Sequence, residues 1–164
     1  MSEHFIITAD RGHLRIFQHQ QPPGQATPRL AEVQALDFPS GRQSYTDRDS
    51  DMAGRFQSSN HQSRGPGAPI ARTGMSIDER LPMQEEEERR QTRDLCQAID
   101  NFLLQRPDAT WDFAAGPALC NPLLEALSPQ TRSRLRQSVA KDLVNQPVNE
   151  LLSHFDAERS DRKP

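Results

Sequence analysis

The hydrophobic pattern opens on Phe5-Ile6-Ile7-Thr8, an unbroken apolar and β-branched run close to the first residue. Such a run predicts a strand buried on both faces. Asp10-Arg11-Gly12 follows with turn chemistry, and Gly12 is free to take a positive φ. Leu14, Ile16 and Gln18 then alternate with Arg15 and Phe17, the pattern of a half-buried returning strand. A polar stretch around Pro22-Pro23-Gly24 predicts a hairpin loop. A third alternating run, Leu30 to Phe38, completes an antiparallel meander.

Residues 39–75 lose this periodicity. Glycines punctuate a stretch rich in Ser, Arg, Asp and Gln, with only scattered apolar positions such as Tyr45, Met52, Phe56 and Ile70. An insert of this kind in a compact domain is either functional or disordered. Ser76-Ile77-Asp78-Glu79 then forms a capping box. Pro82 places a short first turn ahead of a main helix running to about Gln105, with Pro82 near its first position. Leu95, Ile99, Phe102 and Leu103 make its apolar stripe. Glu85 to Arg93 is wholly polar and contains Glu85–Arg89 and Glu86–Arg90 at i,i+4 spacing. The N-terminal half of this helix is therefore expected to overhang the sheet.

Trp111 and Phe113 centre a fourth strand at residues 110–115. Leu119, Leu123, Leu124 and Leu127 mark a helix, and Ser128-Pro129 has the cap and first-position signature of a short helical turn. A fifth strand is expected over roughly Leu135 to Leu143. A final helix follows, with Val148, Leu151, Leu152 and Phe155 facing inward. These elements predict one α/β domain over residues 1–157, with 39–75 as an inserted loop and 158–164 as a charged tail.

Composition adjusts this picture. Hydrophobic residues make up 34% of 164, and mean hydropathy is -0.83. That is too little apolar material to bury the whole chain. A net charge of -3 gives no global attraction to nucleic acid or anionic membrane. Of 20 basic residues, only Lys141 and Lys163 are lysines. Arginine's planar fork suits carboxylate and phosphate better than a lysine point charge. Cys96 and Cys120 read as two buried thiols in a reducing compartment. No secretory pattern and no transmembrane run is visible, which predicts a cytoplasmic chain.

The element order β-β-β, helix, β, helix, β, helix is that of a ribonuclease-H-like domain with a mixed five-stranded sheet. Ala9-Asp10-Arg11 with Arg15-Ile16-Phe17, Gly54-Arg55-Phe56, Leu127-Ser128-Pro129 and Lys141-Asp142-Leu143 together resemble the bacterial host attachment protein family. That family is similar to the middle domain of archaeal and eukaryotic-type class-1 release factors, and the resemblance spans Phe5 to Phe155. Gly54-Arg55-Phe56 lacks the Ser of the family's Gly-Arg-Ser-Phe element. Release factors carry a Gly-Gly-Gln loop; here Pro23-Gly24-Gln25 offers one Gly-Gln in a different loop, which argues against peptidyl-tRNA hydrolysis.

Two lines of chemistry follow from the residues. A ribonuclease-H-type nuclease needs carboxylates converging on two divalent metals. Asp10, Glu85 or Glu88, and Asp112 are the candidates, although Arg11 directly follows Asp10 as a neutralising partner. The five histidines show no metal-ligand spacing, and no phosphate-binding loop motif is present. The other line is arginine-borne binding through Asp10, Arg11, Arg15, Arg42, Arg55, Arg64, Lys141 and Asp142, with RNA, the ribosome or an acidic protein as partner. The expectation is a non-enzymatic binding protein without a cofactor. An indirect role in attachment to host cells and the metal-dependent nuclease are the alternatives.

Overall fold

A computed structural model describes residues 3–24, 27–39 and 77–161. The chain divides into two compact units, residues 1–42 with 90–164, and residues 43–89. The expected insertion at 39–75 lies almost wholly outside the described residues.

The first unit holds a five-stranded sheet. Its strands are β1 (His4–Ala9), β2 (His13–Gln20), β3 (Arg29–Asp37), β4 (Thr110–Ala115) and β5 (Leu135–Val139), in the spatial order β3-β2-β1-β4-β5. The β1–β2 and β2–β3 pairs are antiparallel, whereas β1–β4 and β4–β5 are parallel. The sheet is therefore mixed, as the pattern predicts, and its middle is a parallel pair. In that pair Phe5 lies opposite Trp111, Ile7 opposite Phe113 and Ala9 opposite Ala115.

Among the described residues, four helices accompany the sheet: α1 (Ile77–Leu104), α2 (Pro117–Ala126), α3 (Pro129–Ser133) and α4 (Val148–Asp161). One face of the sheet buries Phe5, Ile7, Leu14, Ile16, Trp111 and Phe113 against Leu95, Ile99 and Leu103 of α1 and Leu119 and Leu123 of α2. The opposite face packs Ile6, Phe17, Ala114 and Val139 against Leu151 and Phe155 of α4. Helices on both faces explain why β1 carries no polar alternation.

Several polar contacts fix the layers. Trp111 Nε1 donates to Thr131 O at 2.9 Å, tying β4 to α3. Arg134 donates to the carbonyls of Leu103, Arg106 and Pro107, closing the end of α1 and the loop after it. On the α4 side, Gln137 Nε2 donates to Phe155 O inside the core.

Three expectations need correction. First, β2 alternates only in part: Phe17, expected on the same side as Arg15, is as inaccessible as Leu14 and Ile16, because α4 covers its face. Second, Pro82 lies inside α1 instead of at its start; it sits in the second turn, where a missing N–H forfeits a single backbone bond. Third, β5 stops at Val139, so Lys141 and Asp142 lie in the loop leading to α4. Within the second unit, the described start of α1 carries the expected Glu85–Arg89 pair, 3.8 Å apart and exposed, a geometry of small energetic weight.

The packing predicts an asymmetric response to truncation. Phe5→Ala, at 2% exposure and in edge-to-face contact with Phe102, should lower unfolding free energy by about 3–5 kcal/mol. Val33→Ser on the exposed edge strand should stay within about 0.5 kcal/mol. Urea titration followed by Trp111 fluorescence measures both.

Candidate functional site

A crevice of about 510 Å³ opens at the carboxyl ends of β1 and β4, lined by residues 10–13, residues 116–119 and Asp142. Its position follows from topology. Two adjacent parallel strands end side by side, and each hands the chain to a segment that turns away, leaving a gap between those segments. Its volume is within the range of ordinary ligand sites.

The first wall is the β1–β2 turn, and Asp10 organises it. Asp10 Oδ1 accepts from Gly12 N at 2.7 Å and from His13 N at 2.6 Å. The His13 ring joins the same carboxylate, with Nδ1 at 3.0 Å from Oδ1 and 2.9 Å from Oδ2. An ionised carboxylate only accepts, so Nδ1 carries the proton and Nε2 is left as the ring's other functional nitrogen. Arg11 is exposed and lines the crevice, as does Asp142.

The second wall is the start of α2. Gly116 caps the helix and Pro117 occupies its first turn. Leu119 N and Cys120 N both donate to Gly116 O, at 3.0 and 2.9 Å. Pro117 and Ala118 are exposed, whereas Leu119 is buried and forms apolar floor. On the third side, Asp142 Oδ1 accepts from Val144 N at 3.2 Å and holds its loop in shape.

Of the residues singled out from sequence, the fold brings Asp10, Arg11 and Asp142 to this crevice, with Lys141 exposed next to Asp142. Arg15 is placed otherwise. Its Nε donates to Glu32 Oε2 at 2.7 Å, its Nη1 donates to Val144 O at 2.8 Å, and its guanidinium lies 4.9 Å from the Phe17 ring centroid. It ties β2 and β3 to the loop that carries Asp142. Arg42, Arg55 and Arg64 lie outside the described residues.

Within the first unit, Asp10 and Asp112 of the nuclease alternative are not brought together. Asp112 is paired in register with Ile6, four positions before Asp10. At about 3.3 Å per strand residue, the two levels are separated by roughly 13 Å along the strand. Asp112 is also committed elsewhere: it is 1% exposed, and His4 Nε2 lies 3.0 Å from its Oδ2. His4 Nδ1 in turn lies 3.0 Å from Thr110 Oγ1. This polar group borders a separate 130 Å³ cavity with His19 and Arg136. Glu85 and Glu88 lie in the second unit. Among the described residues, no three His, Cys, Asp or Glu side chains are grouped to hold a metal ion.

Both cysteines are buried and free, as composition led us to expect. Burial, reinforced by the charge of Asp100, pushes the Cys96 thiol up to about 11, and burial also raises Cys120. Neither is a candidate nucleophile.

Sequence reasoning missed His13 and the 116–119 wall. The Asp-x-x-His spacing of Asp10 and His13 was the available signal for the first. Nothing local marks the second, because only the parallel register of β1 and β4 brings it opposite Asp10.

Fold and site together define an α/β domain with a solvent-facing crevice at the carboxyl edge of its central parallel pair. The family described as "Protein required for attachment to host cells" matches residues 5–155, and the chain belongs to that family. No curated protein matches it in sequence. Among solved structures it is similar to the archaeal translation termination factor aRF1, with a TM-score of 0.41 and 13% identity. The match covers 96% of this chain but only 38% of that one. Among the described residues, no helix is long and apolar enough to cross a membrane.

Two outcomes follow from these side chains. Asp10→Ala removes one acceptor from two backbone amides and a ring, and should cost about 1–3 kcal/mol while speeding hydrogen exchange at Gly12 and His13. Cys96 and Cys120 should stay unreactive toward a thiol reagent at neutral pH until the protein unfolds. Because the folded Cys96 thiol holds its proton up to about 11, its contribution to stability is complete below pH 9 and falls as pH rises toward 11. A Cys96→Ala comparison across that range isolates the loss.

Proposed function

We propose that this chain is a non-enzymatic binding module whose working surface is the crevice between the β1–β2 turn and the start of α2. The observation that carries the reading is the crevice itself, built from a turn, a helix start and a loop at the carboxyl edge of the parallel pair. The fate of the acidic residues supports it: Asp10 braces a turn and Asp112 is paired with His4. The strand order, an antiparallel meander joined to a parallel extension, supports a ribonuclease-H-like scaffold that serves here without nuclease chemistry.

The arginine pattern makes the ribosome or another RNA the first partner class to test. Arg42, Arg55 and Arg64, which follow β3 in the chain, carry that pattern. The family description favours a second reading, a role in attachment to host cells. A cytoplasmic binding module would serve that role indirectly, through the partner it engages.

Affinity capture from the native cell, with and without RNase, separates these readings. Ala118→Trp fills the mouth of the crevice from an exposed position and should reduce partner recovery at least tenfold. Recovery unchanged by this substitution contradicts the crevice as the working surface. Co-sedimentation with ribosomes, lost when Arg42, Arg55 and Arg64 become Glu, supports the RNA partner; its absence at low salt removes that partner class.

A further inference from the structure

We infer that the crevice seats a basic side chain, a lysine or arginine projecting from a protein partner, and does not seat a phosphate. This deepens the reading of the crevice as a binding surface and rests on it.

The donors and acceptors around the rim distinguish the two kinds of occupant. Anion sites need unspent N–H groups, and this crevice has few. On the turn side, the amides of Gly12 and His13 are both consumed by Asp10 Oδ1. On the helix side, Pro117 has no N–H and Leu119 N is taken by Gly116 O, which leaves Ala118 as the one uncommitted amide of the first three. Arg11 is the one guanidinium among the described lining residues, and it already has an interaction of its own.

Acceptors are in better supply. The second carboxylate oxygen of Asp142 makes no hydrogen bond to another described residue. Among the described residues, Asp10 Oδ2 meets only the His13 ring, which leaves it lone-pair capacity. Two carboxylates and a single guanidinium thus line a crevice whose other wall is Pro117, Ala118 and Leu119. A group with an apolar stem and a cationic head matches both features: the stem covers the floor and the head reaches the carboxylates. Exposed residues from the β1–β2 turn, the start of α2 and the Asp142 loop rim the mouth, and about 510 Å³ leaves room for chain on either side of the inserted residue. Those features fit a side chain projecting from a protein surface.

The test uses the full chain labelled with ¹⁵N and three probes. The first is an acetylated and amidated peptide with one central lysine between two triglycine arms; the others are its glutamate counterpart and inorganic phosphate. The lysine peptide should shift the amide resonances of Gly12, His13, Gly116 and Ala118, and the other two should leave them in place. Asp142→Asn retains an oxygen to accept from Val144 N but loses the charge, and should weaken the lysine peptide at least fivefold. The inference is overturned if phosphate or the glutamate peptide shifts these amides, if no probe does, or if Asp142→Asn binds unchanged. Free putrescine binding as tightly as the peptide overturns the protein partner. If the lysine probe fails while Ala118→Trp still abolishes capture, the side-chain assignment falls and the binding-surface reading stands. If Ala118→Trp leaves capture intact, that reading falls as well.

Discussion

The parallel pairing of β1 with β4 is the constraint on which the rest of this structure depends. It joins residues more than a hundred positions apart, and it places Phe5, Ile7, Trp111 and Phe113 on one buried face. The other face of the same two strands carries Ile6 and Ala114 beneath α4. Neither strand can be exposed on either side without losing core, so both are mainly apolar and the buried Asp112 is paired with His4. The same pairing decides where chemistry can occur: wherever the two strands end together, the chain must leave the sheet, and the gap between the departing segments becomes the crevice.

What surrounds that gap is set by how each polar group is already used. Asp10 stands at the end of the first strand, where a metal-dependent enzyme could keep a ligand, yet it is committed to the turn it braces. Asp112 stands further back along the parallel pair and is drawn beneath α4 with His4. Burying a carboxylate requires such a partner. Residues that could have converged on a reaction centre are thereby distributed into two structural roles, and the crevice keeps a rim of acceptors above an apolar floor.

Much of the fold was legible because local pattern and tertiary role coincide. The Phe5–Thr8 run, the Trp111 and Phe113 strand, and the Leu95, Ile99 and Leu103 stripe each announce burial directly, and each is buried. Ser128 announces its cap in the same way, with its Oγ accepting from Thr131 N at 3.4 Å. Phe17 was harder, because alternation shows which residues could face solvent but not that a distant helix covers them. Lys141 and Asp142 followed a strand-like stretch whose pairing with β4 ends at Val139. The candidate site was legible only in halves: Asp10, Arg11 and Asp142 stood out by type, whereas Gly116 to Leu119 join them through a register no local motif encodes.

The most direct test of the central claim, that this crevice is the partner-binding surface, is site-specific photo-crosslinking in the native cell. A benzophenone amino acid replaces Ala118 at the mouth, or Val33 on the exposed edge of β3 as a control. The account predicts one discrete crosslinked species from position 118, absent from position 33 and suppressed by Asp142→Asn. Crosslinks that arise at position 33 and not at 118 would contradict it.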